Sequence, residues 1–212
     1  MSDDFPTFAP IFGKGTKYLT FLHFDSDDLQ EAIALVRDAC ARSKKLQDEV
    51  IALLSENGWR EHLLAAVAIL TVRNPSKEIA HELWQTFDRG SWVSPQLAVV
   101  AWLRDLDFEV RARERISSGN FQDTTKIDCL DPLERHVIAG PSTNAERSAK
   151  GLSALVYLIG KSVNAGGWLA NEMRRSEIKS RLAHDVDFGG KIAETWLGRV
   201  RLNSSALGLE GK

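Results

Sequence analysis

The residues able to do chemistry are spread along the chain, and few stand at the spacings that would gather them. The five histidines are His23, His62, His81, His136 and His184. No two lie three to five residues apart and no HExxH occurs, so no helix carries a zinc-ligand pair. Each is expected at the surface or at a helix cap. Cys40 and Cys129 are distant and lack CxxC spacing. That predicts two reduced, mostly buried thiols with no local catalytic signature. No GxSxG is present, although a serine site built from distant residues would leave no such mark.

Three short strings imitate known sites and fail on their missing parts. Ile159-Gly160-Lys161-Ser162 ends as a Walker A loop ends, but the glycine needed five residues before Gly160 is Leu155, inside an apolar run. Asp187-Phe188-Gly189 spells a kinase metal triplet without the Gly-rich loop, strand lysine or catalytic loop that accompany it. Asp185-x-Asp187 followed by Gly190 begins like a calcium loop, yet Trp196 stands where the twelfth-position Glu belongs and Gly189 replaces a ligand. No metal site and no cofactor is therefore expected.

Two basic clusters remain. Arg111, Arg113 and Arg115 close a predicted helix, where cations complement the dipole, and Glu109 and Glu114 dilute them. Arg174, Arg175, Lys179 and Arg181 are denser, with Arg175 and Lys179 an i,i+4 pair. Trp168 follows Gly166-Gly167 and would add a flat stacking surface beside them. Trp168, Arg174, Arg175, Lys179 and Arg181 are thus the candidate binding residues, for an anionic partner. The competing reading is a solvated charged face. Asp123, Asp128, Asp131, Glu134 and His136 also cluster, in a stretch that suits loop solvation and caps.

The global charge gives such partners little help. The formal net charge is -2, so nothing draws the whole molecule to nucleic acid or anionic lipid. The acidic start, M-S-D-D-F-P, has no apolar signal segment. The longest apolar runs, 63–70 and 97–103, fall far short of the roughly 18–20 residues that span a bilayer. The expectation is a cytoplasmic protein with no membrane partner.

The elements that must position these residues are helices. Phe5, Phe8 and Phe12 anchor an irregular arm over 1–15, broken by Pro6, Pro10, Gly13 and Gly15. Asp28 with Glu31 has the form of a capping box, and Leu29, Ala32, Ile33 and Val36 then recur at helical spacing. Ser43 caps the next helix, which Asn57-Gly58 ends with glycine in the left-handed position. Asn74-Pro75 and Ser94-Pro95 separate further helices. Leu106, Phe108, Val110 and Ile116 give another apolar stripe. Thr143 with Glu146 starts a helix through Leu155 and Ile159, 185–190 is a turn, and Ile192 to Val200 forms a last amphipathic helix.

One pattern orders all of this. Trp59 to Leu70, W-R-E-H-L-L-A-A-V-A-I-L, aligns without a gap on Trp92 to Leu103, W-V-S-P-Q-L-A-V-V-A-W-L. Trp, Leu, Ala, Val, Ala and Leu fall at matched positions. Both helices are apolar nearly all round and need cover on every side. An offset on the order of 30–45 residues is what stacked helical hairpins produce. Residues 28–117 thus resemble HEAT or armadillo-like repeats. The resemblance implies an all-α superhelix of stacked antiparallel hairpins, with the two aligned helices adjacent, parallel and buried.

The chain divides accordingly. An arm (1–15) precedes the repeats (16–117). A loop region with one short helix (118–142) leads to bundle-like C-terminal helices packed on the same body (143–203) and a frayed tail (204–212). Such a scaffold without a catalytic constellation points to a non-enzymatic protein-interaction module, in the manner of a bacterial adaptor, inhibitor or immunity-like protein. The alternative is nucleic-acid binding or DNA-base processing on a HEAT-like scaffold, as in the alkylpurine glycosylases.

Overall fold

A computed structural model describes residues 4–13, 17–118, 144–162, 165–172 and 186–209. Every regular element among them is helical. They are α1 (Ala9–Gly13), a 3-10 turn (Lys17–Leu19), α2 (Thr20–His23), α3 (Leu29–Arg42), α4 (Leu46–Ser55), α5 (Trp59–Thr71) and α6 (Lys77–Asp88). There follow α7 (Ser94–Arg104), α8 (Phe108–Ser118), α9 (Asn144–Gly160), α10 (Gly166–Glu172), α11 (Val186–Leu202) and α12 (Ser204–Leu207).

The aligned helices α5 and α7 are the core. Every residue from Leu63 to Leu70 and from Leu97 to Ala101 is buried. The two pack against each other, and both pairs of ends meet. At the start, the Trp59 and Trp92 rings lie 5.3 Å apart. At the finish, Arg104 of α7 donates to the carbonyls of Leu70 and, at 3.2 Å, Arg73. Helices touching start to start and end to end run in the same direction. The guanidinium also satisfies a carbonyl that the end of α5 would otherwise leave bare.

The outer helices repeat the arrangement. α4 packs on both α5 and α6, and α6 packs on α7. The Leu54 carbonyl, in the last turn of α4, accepts from Thr86 Oγ1 at 2.9 Å and from Arg89 Nη2 at 2.8 Å. Both donors come from the last turn of α6 or just beyond it, so the hairpins α4–α5 and α6–α7 stand side by side in register. This packing is compatible with a helical-repeat class.

The back of the chain closes on the same body. α9 packs against α7, α8 and α11, and α11 also reaches α7. Glycine permits the close approach of α9 and α11: a Cβ on Gly189 would fall 2.1 Å from the Lys150 carbonyl oxygen. Beside it, the Gly190 N–H donates to Ser153 Oγ at 2.9 Å. Trp196 of α11 donates to the Phe21 carbonyl at 2.9 Å, and Arg199 pairs with Asp25 at 2.8 Å. Phe24, whose φ of 58° is left-handed, is held there by burial of its ring against Phe21 and Trp196.

Several local expectations are corrected. The first segment is not wholly irregular: Ala9–Gly13 is helical with Pro10 in its first turn, where a missing N–H does no harm. Thr7 ties this segment down through Glu49, donating from N at 2.9 Å and from Oγ1 at 2.6 Å. Ser43 does not cap α4; its hydroxyl donates to the same Glu49 at 2.8 Å. Asp28 stands at the N-cap of α3 without a side-chain cap bond. Gly58 is extended, not left-handed, because it is the residue that opens α5. Pro75 precedes the true cap, Ser76, which accepts from the Ile79 N–H. Residues 186–190 are helical, not a turn. Leu106 and Val110 are exposed, since the buried face of α8 is Phe108, Ala112 and Ile116. The tail is docked over 204–207: Leu207 is buried and Arg37 donates to the Ala206 carbonyl at 3.0 Å. The 118–142 loop region, beyond Ser118, lies outside the described residues.

Candidate functional site

Because the two hairpins stack in register, their connecting turns lie side by side. The turn before α5 is Glu56-Asn57-Gly58, and the turn before α7 is Arg89-Gly90-Ser91-Trp92. Gly90 has φ 82°, the left-handed conformation that reverses a chain at a helix end and suits glycine. The turns, with Trp59 and His62 of α5, Thr86 of α6 and Arg147 of α9, line an open cleft of about 690 Å³.

His62 is buried at the base of this cleft, not at the surface or in a cap as expected from sequence. Its Nε2 lies 2.7 Å from the Glu56 carbonyl oxygen. A carbonyl only accepts, so Nε2 carries the proton and Nδ1 is bare. Ser91 Oγ lies 2.8 Å from that Nδ1 and donates to it. The same Oγ accepts from the Val93 N–H at 3.3 Å. Ser94 fixes the turn from behind, donating to the Ser91 carbonyl from Oγ at 2.6 Å and from N at 3.1 Å. The result is an ordered relay: Ser91 hydroxyl, imidazole, main-chain carbonyl.

Burial pushes the His62 pKa below its ordinary value; the Glu56 carbonyl works against that shift and the Arg89 charge works with it. The consequence for stability has a definite sign. His62 binds its proton more readily in the unfolded chain, near 6.5, than in the folded one. The folded state is therefore fully favoured above about pH 6.5 and loses stability as pH falls below it. The expected loss is at most ~1.4 kcal/mol per pH unit from this one group. Urea unfolding at pH 7.5 and 5.5, for the parent and His62→Gln, checks it. The parent should weaken more than the variant, and an equal loss in both would assign the acid sensitivity to groups other than His62.

A row of rings leads away from the cleft. Trp92 touches Trp59 (5.3 Å), Trp59 touches Tyr18 (6.1 Å), and Tyr18 touches Phe12 (6.1 Å). Phe12 meets the buried Phe5, also at 6.1 Å. The Arg60 guanidinium sits over both Tyr18 and Trp59, 5.6 and 5.4 Å from the ring centres. Trp92, at the open end, is 37% exposed. The Trp59–Trp92 contact joins the starts of the two core helices, and it also leaves ring surface at the cleft mouth.

The residues singled out from sequence are not gathered here. Trp168 is half-buried on α10, with the Arg113 guanidinium 4.9 Å from its ring centre. Arg174, Arg175, Lys179 and Arg181 lie outside the described residues, as do Cys129, His136, His184 and the acidic cluster from Asp123 to Glu134. The other basic cluster is paired within the fold and not merely solvated. Arg111 meets Asp105 at 3.4 Å, Arg113 meets Glu109, and Arg115 grips both Asp88 oxygens at 2.7 Å while lying over Trp84. Cys40 is free and half-buried, its thiol pushed up by burial, which makes it a poor nucleophile. No described helix is long and apolar enough to cross a membrane. Compared with protein-family models, with curated proteins and with solved structures, the chain matches none.

Proposed function

We propose that this protein is a protein-interaction module on a HEAT-like stack of helical hairpins. Its partner docks on the ring row that ends at Trp92. The observation that carries the reading is the Trp59–Trp92 contact at the cleft mouth, with Arg60 over the Trp59 face. Trp, Tyr and Arg are the residues on which binding energy concentrates at protein interfaces. Here they share one patch, pre-ordered by ring contacts, so little side-chain freedom remains to be lost on binding. Stacked hairpins extend such a patch along their edge. An adaptor or inhibitor acting in the cytoplasm, where a free thiol such as Cys40 persists, fits this chemistry.

The test is site-specific. A photo-crosslinking residue at position 92 should capture a defined partner in cells, and the same residue at position 202, more exposed on α11, should not. With that partner purified, Trp92→Ala and Arg60→Ala should each weaken binding at least ~10-fold at a temperature where circular dichroism shows the variant still folded. Equal capture at both positions, or unchanged affinity in both variants, removes the reading. Oligonucleotide binding whose log K falls with log salt would install the nucleic-acid reading in its place.

A further inference from the structure

The Ser91–His62 pair has a geometry that a binding surface does not need. We infer that Ser91 is a nucleophile and His62 its general base, together hydrolysing a small carboxylic ester in the cleft between the two hairpin turns. The inference is separate from the docking proposal, and its test uses no partner.

Three observations carry it. First, the hydrogen-bond order is the one nucleophilic serine chemistry requires. Ser91 Oγ donates to a bare imidazole nitrogen at 2.8 Å, and the opposite nitrogen is held by an acceptor at 2.7 Å. A nucleophile, a base and a group that orients the base are all in place. The orienting group is the Glu56 carbonyl, which fixes the tautomer and ring plane as a carboxylate does in the Ser-His-Asp arrangement. Second, the pair faces a space where a substrate fits. Ser91 and His62 both line the cleft of about 690 Å³, beside the indoles of Trp59 and Trp92. Apolar walls around a few convergent polar groups are the usual make-up of a small-molecule site. Third, positive charge is at hand. Arg89, whose guanidinium also pairs with Glu82 at 3.0 Å, and Arg147 line the same cleft, and positive charge there would favour the oxyanion that develops on the carbonyl oxygen.

The steps balance without an oxidant or a further reactant. Ser91 Oγ bonds to the acyl carbon as its proton passes to His62 Nδ1. The tetrahedral intermediate collapses, the bond to the alcohol oxygen breaks, and Nδ1 returns the proton to that oxygen. Water then attacks the acyl-serine and gives a proton to Nδ1. Collapse releases the carboxylic acid, and the proton goes back to Ser91 Oγ. The imidazolium formed in each half is met by Glu61 beside it on α5 and by the Glu56 carbonyl. Arg89, from the end of α6, opposes it, and Arg147 of α9 lines the same cleft. The resting base is consequently neutral near pH 7.

A fluorophosphonate probe and 4-nitrophenyl butyrate test the assignment on the whole protein. Intact mass after exposure to the probe should show one adduct, mapped to Ser91, with none in Ser91→Ala. His62→Gln, which can still donate to the Glu56 carbonyl, should react at least ~100-fold more slowly. The parent's reaction rate should rise with pH to a plateau, with its midpoint below 6.5, and ester turnover should follow the same curve. The pH profile is read on the unaltered chain, so the inference stays exposed to failure even where a variant does not fold. No adduct on Ser91, an adduct formed equally fast in His62→Gln, or a rate indifferent to pH across this range would reduce the pair to a strut joining two turns.

Discussion

Val100→Asp should leave the chain without a cooperative thermal transition. Val100 is 0% exposed and lies in the middle of α7. That helix is in contact with α5, α6, α8, α9 and α11, so no face offers a route to water. Val99 and Ala101 beside it are as deeply buried. An aspartate there must stay charged without a partner or take up a proton. The expected cost is ~5 kcal/mol or more, which consumes most of the stability of an ordinary domain. Leu106→Asp and Leu202→Asp make the same change where the side chain is 95% and 86% exposed, and each should cost no more than ~0.5 kcal/mol. Circular dichroism melts of the three variants check the contrast. A Val100→Asp melt matching the parent would mean that α7 is not the centre of the fold.

The placement of α7 was legible because the evidence for it is repetitive. Two runs with the same residue types at the same helical phase must bury the same face, and α5 and α7 do so with Trp59 on Trp92. The helical pattern of α3, α4, α6 and α11 was legible for the same reason, since each has an apolar stripe of its own. What failed were inferences from a few neighbouring residues when a distant residue competed. Ser43 reads as a cap until Glu49 draws its hydroxyl away, and Glu49 is itself fixed by Thr7 from the first segment. Leu106 and Val110 count as apolar in a stripe, but Leu106 precedes α8 and Val110 lies off the one face it buries, Phe108, Ala112 and Ile116.

The candidate site was less legible still. His62 sits between Glu61 and Leu63 with no local partner type. Its second ring nitrogen is met by Ser91, from the next hairpin. The clue was present in the same alignment that revealed the helices. If Trp59 and Trp92 are equivalent and adjacent, the turns in front of them must also be adjacent, and Ser91 must lie near the first turn of α5. Trp168 shows the limit from the other side. Its sequence neighbours suggested an open stacking face, whereas a partner ring-cation contact comes from Arg113 on α8.

Gly189→Ala should separate α9 from α11 and destabilise the protein by about 1–3 kcal/mol. On propensity alone the change ought to help, since alanine is favoured over glycine inside a helix by about 0.8–1 kcal/mol. Geometry overrides that gain. The new methyl carbon would sit 2.1 Å from the Lys150 carbonyl oxygen and 2.9 Å from its Cα. Those are backbone atoms within α9, so the contact cannot be relieved by turning a side chain; the helices must move apart. Separation would also stretch the bond from the Gly190 N–H to Ser153 Oγ, now 2.9 Å. Two glycines of the same helix supply the comparison. A Cβ at Gly190 would find only ordinary contacts, at 3.5 Å, with Ser153 and Tyr157, and one at Gly198 would find nothing within 4 Å. Gly198→Ala should therefore stabilise by up to about 1 kcal/mol, and Gly190→Ala should change little. Chemical unfolding should rank the variants with Gly198→Ala above the parent and Gly189→Ala well below it. If Gly189→Ala is as stable as Gly198→Ala, then α9 and α11 do not cross at this glycine, and the attachment of the chain's last third to α7 must be drawn differently.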